Sequence, residues 1–323
     1  MRYRKLGKTD FEVSAIGFGA STLGNVFGVV DTQAASRAVD AAVEHGINLF
    51  DVSPFYGLTV AEERLGQMLE PHRQKVFLGT KCGRYGSDIF DFSAERITTE
   101  FEMSLERLRT DYVDILQVHD IEFGDVQQIV HETIPAMQRL REQGKVRVIG
   151  VTGYWPGMLA RVASQTGVDC VLNYCHANLF VDDMDLELVP FVEESGIGLL
   201  NASPLHMGLL ADKPIAPWHP APECVVQAAQ AVRNVCREFA VDAGTVALSV
   251  CLDHPAVAST FVGISSEAEL IAACSALKSE LPEELMTAIR TIVDPVRNIV
   301  WPSGLEGNAD AALNEWRTCD AAH

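Results

Sequence analysis

Short apolar runs alternate along the chain with longer stretches whose apolar residues recur at helical spacing. The runs are 16–18, 47–52, 76–81, 113–118, 146–151, 170–172, 197–200 and 259–262. They are bounded by turn residues and predict strands. Between them, Thr32 is placed to cap a helix through His45, and further helices are predicted over 60–69, 157–164 and 186–194. Ser93 opens another, in which Ile97, Phe101, Leu105 and Leu108 share one face. One more ends at R-E-Q-G (Gly144), and the last three span 224–239, 243–253 and 266–278. Ahead of the first strand, 3–13 reads as a hairpin turning at Gly7 to Asp10. Residues 214–222, P-I-A-P-W-H-P-A-P, read as an irregular insertion. The tail from Leu281 offers a final helix and an end containing Pro and Gly.

Eight strands alternating with helices predict an α/β fold, a (β/α)8 TIM barrel with an N-terminal β-hairpin and a C-terminal helical tail. No linker or tandem repeat interrupts the alternation, so a single domain over 1–323 is expected, with the barrel at 14–280 and an extension at 281–323. The length of 323 residues accommodates a barrel of about 250 residues plus decorations.

A parallel barrel places its chemistry at the C-terminal ends of its strands. The second strand runs into Asp51, with Tyr56 in the loop beyond it. The third ends in Gly79-Thr80-Lys81 and the fourth in Gln117-Val118-His119-Asp120. A strand-end carboxylate without a partner is costly, and so is a lysine inside a barrel, which makes Asp51 and Lys81 natural partners. Taken alone, Asp51 is equally readable as a helix cap and Tyr56 as a loop aromatic.

Charge and cysteine usage narrow the class. A net charge of −19 argues against a nucleic acid or an anionic membrane surface as partner, since both need clustered Lys and Arg. No apolar run is long enough to span a bilayer, and the N-terminus has no apolar signal core. The eight cysteines (82, 170, 175, 224, 236, 251, 274 and 319) lie singly, with no secreted-type framework, and several, as Cys251 in A-L-S-V-C-L, read as reduced core residues, which points to a cytoplasmic protein. No His/Cys cluster has metal-ligand spacing, so no metal is expected.

The runs D-V-S-P-F-Y-G, G-T-K-C-G-R-Y and D-I-L-Q-V-H-D, with the opening L-G-K-T-D-F-E-V-S-A-I-G-F-G-A and G-K-V-R-V-I-G-V-T, resemble the tetrad motifs and flanking strands of the aldo-keto reductases. Further segments, among them A-S-P-L-H-M-G-L-L and P-V-R-N-I-V-W-P-S-G, are similar to the L-galactose dehydrogenase branch of that family. The resemblance implies that Tyr56 is the acid/base, that Asp51 and Lys81 tune it, and that His119 orients the substrate oxygen. A free phenol titrates near ~10, and a neighbouring ammonium is expected to lower that value.

For the dinucleotide, the resemblance implies Gly19, Ala20 and Ser21 beside the nicotinamide, with Asp51 close by. It implies Thr152 and Asn173 at the carboxamide, and Ser203 and Leu205 along the pyrophosphate. Two departures touch these contacts, Thr152-Gly153 in place of Ser-Asn and Ala202 in place of a stacking aromatic. After the last strand, NADP-specific relatives carry Lys and Arg, whereas this chain has Ile264 and Leu270 with Glu267 and Glu269 alongside. Carboxylates repel a 2′-phosphate but accept from a ribose hydroxyl, so NAD is the expected cofactor, with Gly263, Ser265, Ser266 and Glu269 holding it.

The mouth carries aromatic and polar residues that suit a sugar ring: Phe55, Tyr56, His119, Asp120, Tyr154, Trp155, His176, Asn178, His206, Trp218 and His219. The tail's Trp301 is expected to pack against the barrel. The reaction expected is oxidation of the anomeric hydroxyl of L-galactose or a related aldose to the aldonolactone. L-Fucose, other D-threo-aldoses and pyridoxal stay open as substrates of the same fold, as does NADPH-dependent carbonyl reduction. A dinucleotide-sensing subunit without turnover is the rival from another class, and the intact tetrad weighs against it. Oligomeric state, monomer or homo-oligomer, is open.

Overall fold

The computed structural model describes residues 1–309. Two short antiparallel strands, β1 (Tyr3–Lys5) and β2 (Glu12–Ser14), form the predicted hairpin. Eight parallel strands then close into a barrel. They are β3 (Ile16–Gly19), β4 (Leu49–Asp51), β5 (Phe77–Cys82), β6 (Val113–Val118), β7 (Val146–Gly153), β8 (Cys170–Tyr174), β9 (Gly198–Ala202) and β10 (Ser259–Gly263). The ring closes where β10 pairs with both β3 and β9.

The surrounding helices are α1 (Thr32–Glu44), α2 (Val60–Leu69), α3 (Ala94–Leu108), α4 (Val126–Gln128), α5 (Ile134–Glu142) and α6 (Pro156–Thr166). They continue with α7 (Met184–Ser195), α8 (Glu223–Glu238), α9 (Ala243–Leu252), α10 (Glu267–Ala276) and α11 (Glu283–Val293). Ser93 caps α3 as expected, its hydroxyl accepting from Arg96 N. The cap of α1 is Asp31 rather than Thr32. The Asp31 carboxylate accepts from the Gln33 and Ala34 amides at 2.9 and 3.1 Å, while Thr32 is already helical. Strands β7 and β8 run to Gly153 and Tyr174, beyond the expected 151 and 172, because their ladder continues through Thr152↔Leu172 and Gly153↔Asn173.

The hairpin closes the N-terminal end of the barrel. Its Leu6, Phe11 and Val13 are buried in one cluster with the barrel-lining Leu49, Ile115, Val148, Leu172, Leu200 and Phe261. The turn approaches β9 so closely that a Cβ on Gly7 would lie 2.3 Å from Gly198 N, and Gly7 has φ +53, so glycine is required there. With that end plugged, the strand C-termini form the open mouth. Left-handed backbone collects there, at Asp120 (φ 50), Cys175 (φ 66) and Ser203 (φ 60), each just past a strand.

Among the described residues, Cys82, Cys170, Cys175, Cys236, Cys251 and Cys274 are free thiols. Cys224, by contrast, is disulfide-bonded. Cys319 and the rest of the expected tail beyond 309 lie outside the described residues. No described helix is long and apolar enough to cross a membrane.

Candidate active site

Register brings the tetrad together. Asp51 at the end of β4 pairs with Gly19 on one side and Gly79 on the other, and Lys81 sits two residues further along β5. Lys81 Nζ donates to Asp51 Oδ2 at 2.5 Å and to Val52 O at 3.0 Å. It also lies 5.0 Å from the centre of the Tyr56 ring. The preceding residue, Thr80, points outwards and donates to Glu62 at 2.6 Å. Glu62 in turn is clamped by Arg107 at 2.7 Å, so β5 is anchored on its outer side while Lys81 faces inwards.

Burial opposes the charge on Lys81, but Asp51 and Tyr56 outweigh it and hold the ammonium above its ordinary value. Burial likewise pushes Asp51 up against the pull of Lys81. The pair stays ionic because the lysine is fixed as a cation. For Tyr56 the balance runs against the expectation of a lowered value. Burial raises the phenol, Lys81 lowers it, and the carboxylates of Asp51 and Asp120 raise it again, leaving it above 10.0. The ammonium alone therefore does not produce a phenolate.

His119 follows β6, buried, with its ring edge-on to Tyr56 at 5.6 Å and 88°. Burial, and then the positive charges of Lys81 and Arg84, hold it well below the ordinary histidine value, so it is neutral. Its Nδ1 lies 2.9 Å from Ser53 Oγ. Beside it, Asp120 Oδ2 accepts from Arg84 Nη1 in an ion pair and lies 3.7 Å from His119 Nε2. The Arg84 guanidinium stacks 3.8 Å from the ring centre of Phe55. Aromatic face, cation, carboxylate, imidazole and phenol thus line one continuous wall.

The comparisons with known proteins agree with this geometry. The model of the aldo/keto reductase family matches residues 15–294. The chain is an aldo/keto reductase. It is 43% identical to the L-galactose dehydrogenase of Arabidopsis thaliana, over 94% of this chain and 98% of that one. It is 26% identical to the D-threo-aldose 1-dehydrogenase of a Pseudomonas species, over 84% of this chain and 92% of that protein. The structure matches the holo form of an aldo-keto reductase from Bacillus halodurans with a TM-score of 0.76 and 26% identity, covering 96% of this chain and all (100%) of the other.

An aldo/keto reductase binds a nicotinamide dinucleotide, and one feature of this mouth fits the carboxamide. Asn173 Nδ2 donates to Gly153 O and Tyr154 O at 2.9 and 2.7 Å, while its Oδ1 is buried without a partner. An orphaned buried acceptor is costly, and an amide donor from the carboxamide relieves it. The hydroxyl oxygen of Thr152 accepts from Asp120 N at 3.0 Å, fixing the left-handed turn beside His119 and leaving its own proton free to donate. Ala20 is fully buried, next to the part-buried Gly19 and Ser21. Ser203 and Leu205 are part-buried past β9, and the exposed Gly263 ends β10.

The rim of this aldo/keto reductase beyond β10 is less anionic than its sequence implies. Glu269 accepts from Ser265 N and Oγ, both at 2.8 Å, and from Lys213 Nζ at 2.6 Å. Glu267 pairs with Arg37 at 3.3 Å, and Ser266 caps α10. Burial pushes Glu269 up, but Lys213 and Ser265 outweigh it and keep it below the usual carboxylate range. Both cations come from distant segments, α1 and the loop after β9, and no local run of sequence announces them.

Trp155 and His206, expected to line the substrate, are both buried and in contact with the tail. Trp155 is buried and its Nε1 donates to Ser303 O at 2.8 Å. His206 is fully buried, its ring stacked 5.3 Å from Phe180 and 5.0 Å from Trp301. Both belong to an aromatic layer with Tyr154 and His176 that seats the tail. Trp301 packs into that layer as expected. Glu122 anchors the same tail. Its side chain accepts from Tyr154 N, Tyr174 Oη and Ser303 Oγ, and its carbonyl accepts from Leu305 N and Asn308 Nδ2. Ser53, Arg84 and Glu122 were missed as functional positions, although the first two lie within the quoted motifs.

Proposed function

We propose that this aldo/keto reductase oxidises the anomeric C1 hydroxyl of an aldose, L-galactose or a stereochemical relative, to the aldonolactone, with NAD as hydride acceptor. The observation that carries the reading is the ionic Arg84–Asp120 pair stacked on Phe55 next to His119. A polyhydroxylated ring supplies donors and acceptors to such a pair and a C–H face to the phenyl ring, whereas a simple carbonyl compound leaves both unmatched. The 43% identity to a named L-galactose dehydrogenase supports the same substrate class.

In this reading Tyr56 takes the proton of the C1 hydroxyl while His119 donates to the same oxygen. A bound oxidised nicotinamide would supply the hydride acceptor for C1 and a ring charge that adds to that of Lys81 in favouring the Tyr56 phenolate. Asn173, with the backbone at Gly19 and Ala20, would hold that ring. Support for NAD over NADP is electrostatic: Lys213 and Arg37 are already occupied by Glu269 and Glu267, which leaves a 2′-phosphate facing paired carboxylates. A cytoplasmic monomer or homo-oligomer completes the proposal. The free thiols suit that compartment, and the Cys224 disulfide is the feature that speaks against it.

The test is NADH formation with L-galactose, L-fucose, D-arabinose and pyridoxal, each with NAD⁺ and NADP⁺, for the natural protein and Tyr56→Phe. Turnover of a galacto-configured sugar with NAD⁺, abolished in the variant, is the expected result. Preference for NADP⁺, or for pyridoxal over every sugar, overturns the corresponding half.

A further inference from the structure

A neutral imidazole carries its single proton on either nitrogen, and His119 can donate to a substrate oxygen only with the proton on Nε2. We infer that Ser53 sets this choice: its hydroxyl donates to Nδ1 and holds His119 as the Nε2–H tautomer, which makes Ser53 a positioning residue for the reaction. The inference rests on the reading of Tyr56 as the proton acceptor.

Two observations carry it. Ser53 Oγ is fully buried, lies 2.9 Å from His119 Nδ1 and already accepts from Phe55 N at 3.1 Å. If Nδ1 bore the proton it would donate to this same oxygen, and the hydroxyl hydrogen would then have no acceptor among the described residues. With the hydroxyl donating to Nδ1, every buried donor in the set is matched. On the other side of the ring, Asp120 Oδ2 lies 3.7 Å from Nε2. A carboxylate attracts the hydrogen-bearing nitrogen and repels a lone pair, so both flanks of the imidazole select the same tautomer.

The consequence is a division of labour at the substrate oxygen. Nε2–H occupies a lone pair of that oxygen and leaves its own proton free to point at Tyr56. A bare Nε2 would instead compete with Tyr56 for the proton. The charges of Lys81 and Arg84, together with burial, keep a second proton off the ring, so the donor neither ionises nor reverses at neutral pH.

The experiment is two-dimensional ¹⁵N–¹H long-range NMR on the full chain labelled with ¹⁵N-histidine, the His119 signals assigned by their loss in His119→Asn. A protonated Nε2 with an unprotonated, hydrogen-bonded Nδ1 is expected in the natural protein, and it is readable whether or not any sugar is turned over. A proton on Nδ1 overturns the inference. In Ser53→Ala the Nδ1 and Nε2 signals should move towards a tautomer mixture, with kcat falling about tenfold or more and KM little changed. Ser53→Thr, which keeps the hydroxyl, should restore both. An unchanged His119 spectrum in Ser53→Ala refutes the role of Ser53. Absence of turnover with the expected spectrum refutes the functional reading and leaves the tautomer assignment standing.

Discussion

Replacing Glu122 by glutamine should make the protein more stable in mild alkali while leaving it unchanged in mild acid. Glu122 is fully buried, and burial followed by the nearby charge of Asp120 pushes its carboxyl up from 4.5 to about 8. Between those two values the folded state holds a proton that the unfolded chain has released. Stability therefore falls as pH rises through the window, by about 1.4 kcal/mol per pH unit. Across the window from 4.5 to about 8 the ceiling is ~5 kcal/mol, and relaxation of the tail around the charge lowers the expected loss to roughly 2–4 kcal/mol. Glutamine has no proton to lose, so its contribution is flat.

The amide also fits the partners. With its oxygen at the Oε2 position it accepts from Tyr154 N, and with its nitrogen at the Oε1 position it donates to the oxygens of Tyr174 and Ser303, whose hydroxyls rotate to suit. Urea unfolding at pH 5, 6, 7 and 8 measures the effect as the difference in midpoint between variant and natural protein at equal slope. Near-equality at pH 5, growing to a stabilisation of roughly 2–4 kcal/mol at pH 8, is expected. Parallel pH curves would show that Glu122 ionises normally in the folded state. A variant weaker at every pH would show that the carboxylic acid makes a contact the amide cannot copy.

Three further outcomes follow from the site. Arg84→Lys loses the planar fork stacked on Phe55, and steady-state kinetics should show KM for the sugar up by roughly tenfold with kcat little moved. Glu269→Gln leaves Lys213 free to meet a 2′-phosphate, so kcat/KM with NADP⁺ should rise by about tenfold relative to NAD⁺; no change would remove the electrostatic argument for NAD. Lys81→Met strands the buried Asp51 and should lower stability by about 3 kcal/mol, recovered in part by adding Asp51→Asn, while turnover stays lost in both.

How much of this was legible in the sequence depends on the range over which each feature is determined. The strands and helices announce themselves because burial on one face imposes a short period, and Ser93 or Val113–Val118 can be read from their own neighbours. The tetrad is legible for a related reason: a barrel sends every strand end to one mouth, so Asp51, Lys81 and His119 converge once the alternation is recognised. The cap of α1 was misread by one residue because Asp31 and Thr32 are both capping types, and only the backbone turn distinguishes them.

What stayed hidden depends on pairing between segments far apart in the chain. The carboxylates of Glu267 and Glu269 looked like an uncompensated acidic rim because Arg37 and Lys213, which neutralise them, sit 230 and 56 residues away. The same reasoning applies to Trp155 and His206. Aromatic and imidazole side chains after strands β7 and β9 suit a sugar site, and nothing local says that the chain from Trp301 to Asn308 returns to cover them. Glu122 shows the cost of that return most plainly. A carboxyl in the loop after β6 would ordinarily be solvated, yet the returning tail buries it under Ser303, Leu305 and Asn308 and drives it towards its neutral form. The tetrad and the buried acid are thus separated by three residues of sequence, His119 to Glu122, but by different physics. The first is set by the barrel, the second by a segment that arrives only after the barrel has closed.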